Sequence, residues 1–146
     1  MGRKKETYMQ ALNWSVDEFF KQLLPQLDLL NEEIILIYTS DHGQGLGQDG
    51  SYSTHCLPRS PRDVQARVPL LIFFINFSSP TGFRRLMGEY SQFQIFSSVL
   101  TMMGFDGQQI SLTYGPDLSR PWEGERFFYS GDLSGRGQLS KNLFLY

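Results

Sequence analysis

The sequence predicts an α/β domain, a layered α/β/α arrangement around a mostly parallel sheet. Residues 34–38 (IILIY) and 68–75 (VPLLIFFI) are short, near-continuous apolar runs. Such runs mark strands covered on both faces, as in parallel sheets. Segments with apolar residues at helical spacing flank them. The stretch between the two runs is long enough for the crossover that parallel neighbours require. Helix, strand, loop, strand, helix is the order of an α/β layered domain.

Ser15 with Glu18 three residues later has the form of a capping box, and Asp17 adds negative charge to the first turn. Phe19, Phe20, Leu23, Leu24 and Leu27 follow at helical spacing, predicting a helix over 15–30 that Pro25 kinks or ends. Residues 34–38 form the first strand. Residues 43–66 are rich in Gly, Ser, Pro and Gln without a period, and predict a long loop of the kind that usually carries function. The second strand spans 68–75, with Pro69 tolerated at its start. The two strands are expected to be adjacent and parallel. A short helix is expected over 83–90. Phe93, Phe96, Val99, Leu100 and Met103 mark a helix over 91–103, closed by Gly104. Beyond Asp106 the chain is broken by Gly and Pro, with short strands expected at 126–129 and 143–146. Residues 1–146 read as one domain.

The composition supports a folded chain. With 146 residues, 40% hydrophobic and 19% charged, it is long enough for a core and too apolar for disorder. A net charge of -2 argues against a nucleic-acid partner. Arg3, Lys4 and Lys5 form the only basic run, read as a solvated segment, and no apolar stretch follows as in a signal peptide. The longest apolar run, 68–75, falls far short of the ~20 residues of a membrane span. Cys56 is the only cysteine, so no internal disulfide forms.

Chemistry concentrates just past the first strand, where ligands bind in open α/β sheets. Asp41 and His42 stand there side by side, followed by Gly43. A carboxylate and a neutral imidazole are good ligands for zinc and similar divalent ions. His55, the only other histidine, lies in the same loop and can fold back to the same place. Taken singly, an Asp-His pair is more often a turn feature and His55 a surface residue. Their joint placement, between two buried strands and around a glycine-rich loop, favours a site. Gly45-Leu46-Gly47-Gln48-Asp49-Gly50 matches a dinucleotide fingerprint by spacing, but Pro58 and Pro61 follow and no helix opens there.

Thr39-Ser40-Asp41-His42-Gly43, then Leu46-Gly47, Gly50, His55 and Arg67-Val68-Pro69-Leu70-Leu71-Ile72, resembles the C-terminal half of the sulfatase and alkaline-phosphatase superfamily. The nearest branch in appearance is the sulfatase-like phosphoethanolamine and phosphoglycerol transferases. Gln94-Ile95-Phe96 to Gly104-Phe105 and Tyr114-Gly115-Pro116-Asp117-Leu118 are similar to later segments of that superfamily, so the resemblance covers most of the chain as a partial superfamily domain.

The resemblance implies a metal-dependent phosphoryl or sulfuryl ester transferase or hydrolase working through a covalent intermediate. It implies Asp41 and His42 as metal ligands and His55 as the contact to the phosphate or sulfate group. The metal would be zinc, with manganese or calcium as alternatives. The partners would be a phosphate or sulfate ester, lipid-linked in the transferases, and the N-terminal half of the domain, which holds the nucleophile. The resemblance places the parent protein on a membrane, facing outside the cytoplasm, and implies that this chain alone does not turn over. Thr39 and Ser40 are discounted as nucleophiles because strand alternation should aim Ser40 away from Asp41. The alternative is a non-catalytic remnant or interaction module of the same fold.

Overall fold

The computed structural model describes residues 2–46, 63–79, 90–125, 127–130 and 135–138. The elements run α1 (Gly2–Asp28), β1 (Ile34–Thr39), α2 (Asp63–Ala66), β2 (Leu70–Ile75), α3 (Phe93–Met102), α4 (Gly107–Tyr114), β3 (Phe127–Ser130) and β4 (Gly135–Gln138). They fall into two compact units, Met1–Phe77 with Phe127–Tyr146, and Ser78–Arg126.

In the first unit, α1 already runs from Gly2, so the capping box expected at Ser15 does not form. Lys4, Lys5, Glu6, Met9, Gln10, Ala11 and Leu12 are strong helix formers, and they carry the helix through that position. Ser15 turns its hydroxyl back onto the helix, donating to the Ala11 carbonyl at 2.7 Å. Pro25 does not end α1, which continues to Asp28. The missing donor falls in the last turns, where Leu23, Leu24 and Leu27 are half-buried and packing outweighs the lost bond. Asn31 closes the helix in the left-handed region at φ 58°.

Contrary to expectation, β1 and β2 pair antiparallel, in register from Ile34↔Ile75 to Thr39↔Leu70. An apolar run reports burial but does not encode strand direction. Direction is set by the connection. The backbone N–H of Gly43, just beyond β1, donates to the Gln65 carbonyl at 2.6 Å. The chain thus returns to the end of β1 it has just left, and β2 must run back alongside. The expected loop over 43–66 accordingly ends in the short helix α2. Side chains alternate across the pair, so Leu36, Tyr38, Leu71 and Phe73 share one face. Phe20 of α1 lies on that face, 5.1 Å from the Tyr38 ring and 5.2 Å from the Phe73 ring. Asn76, also left-handed at φ 64°, donates from Nδ2 to the carbonyls of Glu32 (3.0 Å) and Asp28 (3.4 Å). This unit also holds the antiparallel pair β3–β4. The strand expected at 126–129 is β3, and β4 was not anticipated. The strand expected at 143–146 and the helix expected at 83–90 lie outside the described residues.

The second unit is built on α3, which Gly104 closes at φ 92° as expected. Its buried side chains differ from the expected ones. Phe93 and Phe96 are 52% and 55% exposed, whereas Gln94, Ser97 and Ser98 are fully buried with Leu118. Gln94 Nε2 donates to the carbonyls of Asp117 (2.8 Å) and Arg120 (2.9 Å), and its Oε1 accepts from the Ser91 N–H (2.9 Å). The Ser98 hydroxyl donates to the Gln94 carbonyl at 2.6 Å and accepts from the Leu118 N–H at 2.8 Å. The second helix, α4, was not anticipated. Asp106 caps it, its Oδ1 accepting from the N–H groups of Gln108 (2.8 Å) and Gln109 (3.2 Å). Among the described residues, no helix is long and apolar enough to cross a membrane.

Candidate functional site

The strand β1 ends at Thr39, and the next four residues fold into a tight polar turn. Asp41 Oδ1 accepts from the His42 N–H at 2.9 Å. The Ser40 hydroxyl donates to the His42 carbonyl at 2.8 Å and lies 3.4 Å from Asp41 Oδ1. Ser40 therefore faces the same turn as Asp41, not the opposite side, because strand alternation stops at Thr39. Its hydroxyl is used within the turn. The side chains of Asp41 and His42 are 87% and 44% exposed.

The imidazole of His42 is oriented from behind. Its Nδ1 lies 2.9 Å from the Gly43 carbonyl oxygen. A carbonyl can only accept, so Nδ1 carries the proton and Nε2 carries the lone pair. That Nε2 is 3.8 Å from Asp41 Oδ2. Nitrogen and oxygen ligands sit ~2.0–2.2 Å from zinc, so one ion spans ligand atoms up to about 4 Å apart, and this pair falls within that span. Backbone support of one imidazole nitrogen is also how metal-ligating histidines are usually held. The pair thus fits as two donors toward a divalent metal. Among the described residues, no group of three or more His, Cys, Asp or Glu side chains is placed to hold an ion.

Of the three site residues expected from the sequence, Asp41 and His42 are brought together, and His55 lies outside the described residues. Sequence reading missed the part of Gly43, whose N–H is held by Gln65 while its carbonyl holds His42. The available signal was the glycine directly after the Asp-His pair. The Asp41 side chain is exposed, and the turn is braced by the backbone of α2.

The sulfatase family model matches residues 3–105, the larger part of the chain. The chain belongs to the sulfatase family. This sulfatase-family chain is also 27% identical over 120 residues to the phosphoethanolamine transferase EptA of Helicobacter pylori (strain ATCC 700392 / 26695), an alignment covering 78% of this chain. The chain spans 22% of that relative's length. No solved structure matches it. Sulfatase-family proteins generally use a divalent metal, in keeping with the Asp41–His42 pair.

Proposed function

We propose that this chain is the C-terminal part of a metal-dependent phosphoryl or sulfuryl ester transferase or hydrolase, contributing two metal ligands to its active site. Membership of the sulfatase family and the likeness to a phosphoethanolamine transferase support the reaction class. The observation that carries the reading is the oriented His42 ring. Nδ1 is held by the Gly43 carbonyl, so Nε2 and Asp41 Oδ2 stand together at a strand end. In this reading the sheet is completed by further, mostly parallel strands from the rest of the superfamily domain, and the nucleophile and remaining ligands come from its N-terminal half.

A bound divalent ion, zinc in the first instance, would supply Lewis-acid stabilisation of charge on the transferred group. Asp41 offers an anionic oxygen, which offsets the charge of the ion and holds its place. His42 offers a neutral nitrogen whose aim is set by the backbone. His55, in the segment between Gly43 and Gln65, would contact the phosphate or sulfate group. The substrate would be a phosphate or sulfate ester, lipid-linked if the chain's parent is a transferase.

Isothermal titration of the chain with zinc tests the reading. Weak binding is expected with the wild-type chain, and loss of that binding with Asp41→Ala or His42→Ala. Binding left unchanged by both substitutions would remove the metal reading and favour the non-catalytic alternative.

A further inference from the structure

Gly43 occupies a position where space, not backbone geometry, demands glycine. It is not among the described glycines with positive φ, which are Gly104 and Gly115. A Cβ at residue 43 would instead collide with the Val64 carbonyl oxygen and lie 2.7 Å from that of Arg67. The backbone of α2 therefore presses directly against the residue that follows the Asp-His pair. The Gly43 N–H donates to the Gln65 carbonyl at 2.6 Å, and the Gly43 carbonyl accepts from His42 Nδ1 at 2.9 Å. One residue links the position of α2 to the tautomer and aim of the imidazole.

We propose that Gly43 is a positioning residue for the metal site, holding His42 in its Nδ1–H tautomer by seating the turn against the backbone of α2. The proposal rests on the reading of Asp41 and His42 as metal ligands. It assigns the close backbone approach a chemical purpose. The proton on Nδ1 leaves the lone pair on Nε2, the nitrogen beside Asp41, and the carbonyl bond fixes the ring plane. An alanine at 43 keeps an allowed φ but cannot keep the contact with α2, so the turn must shift and carry its carbonyl off Nδ1.

The test is nitrogen NMR of the histidine-labelled chain of residues 1–146 without metal, above the titration range of imidazole. The variant His55→Gln assigns the two histidines. The wild-type chain is expected to show His42 in the Nδ1–H form, whereas Gly43→Ala shows a tautomer mixture. Gly43→Ala should also weaken zinc binding by roughly 10- to 100-fold, the usual cost of disturbing the outer support of a ligating histidine. Gln65→Ala keeps the accepting backbone carbonyl and is expected to keep the wild-type tautomer. An Nε2–H tautomer in the wild-type chain would overturn the proposal, and this measurement does not depend on any variant folding. So would a Gly43→Ala chain with wild-type tautomer and zinc affinity. If Asp41→Ala leaves zinc binding intact while the tautomer result holds, the metal reading has failed and the positioning of His42 has not.

Discussion

The Asp41–His42 turn and the Gln94 centre use the same device, a polar side chain bonded to nearby backbone, to opposite ends. Gln94 is fully buried, and its amide meets three backbone groups from Ser91, Asp117 and Arg120. Buried polar groups are costly unless satisfied, and satisfied ones specify one arrangement. At the turn, the side chain of Asp41 is 87% exposed and that of His42 44%. Each uses one polar atom on the backbone, Oδ1 of Asp41 and Nδ1 of His42, while Oδ2 and Nε2 stand beside each other. The first arrangement supports structure; the second, in the function proposed above, orients two donors toward a metal ion.

Substitutions can break or sharpen this contrast. The largest effect is expected at Gln94. Gln94→Ala removes the partner of two carbonyls and one N–H in a part-buried setting and leaves a gap where the amide was fully buried, a loss on the order of 3 kcal/mol. Urea unfolding of the variant should show it as a lowered midpoint. A midpoint within error of wild type would mean that the buried amide does not hold this unit together. A smaller effect is expected at Asp106, whose carboxylate satisfies two of the first N–H groups of α4. Asp106→Ala should cost ~1 kcal/mol, the usual worth of an N-cap, with the slope of the unfolding curve unchanged.

The smallest effect is expected on α1, where Lys21 contacts Asp17 at 2.6 Å and Glu18 at 3.3 Å in full solvent. The hydrogen bond to Asp17, then that to Glu18, raise the Lys21 pKa above its ordinary 10.5. A raised lysine pKa gives stability that is fully present below the unfolded-state value and is lost as pH rises through the folded-state value. Both lie in the alkaline range. Lys21→Met should therefore leave the pH dependence of the thermal midpoint unchanged between pH 6 and 9. A variant whose midpoint falls relative to wild type across that window would give this exposed ion pair a weight that the contrast denies it.

Much of the architecture was legible because it follows from local patterns. The apolar runs became β1 and β2, and Phe93 to Gly104 became a helix closed in the left-handed region. The direction of pairing was not legible, since it depends on how the chain returns to β1, marked by the bond between Gly43 and Gln65, across a segment without periodicity. The buried side of α3 was misread because hydrophobicity pointed to Phe93 and Phe96. The side that is buried carries Gln94, Ser97 and Ser98, whose hydrogen bonds to the 114–120 segment make a polar interior tolerable. The helix α4 was missed because its start is announced by an aspartate next to a glycine, a pair read as a break. At the site, the pairing of Asp41 with His42 was legible from adjacency at a strand end. The orientation of the ring was not, because it rests on a backbone carbonyl, which has no letter in a sequence.

Asn76 has a consequence for how the two-stranded sheet keeps its alignment. A ladder in which all but the Thr39↔Leu70 pair are apolar offers little to oppose sliding, since Ile, Leu and Phe substitute for one another across it. Sliding by one residue would send Phe73 to the opposite side from Phe20. The Asn76 amide reaches the carbonyls of Glu32 and Asp28 from a left-handed backbone, and a slipped alignment would break both bonds. It acts as an end-stop, converting a slippery apolar ladder into one with a single indexed position. The strand end that carries Asp41 and His42 is thereby placed from the far end of the sheet.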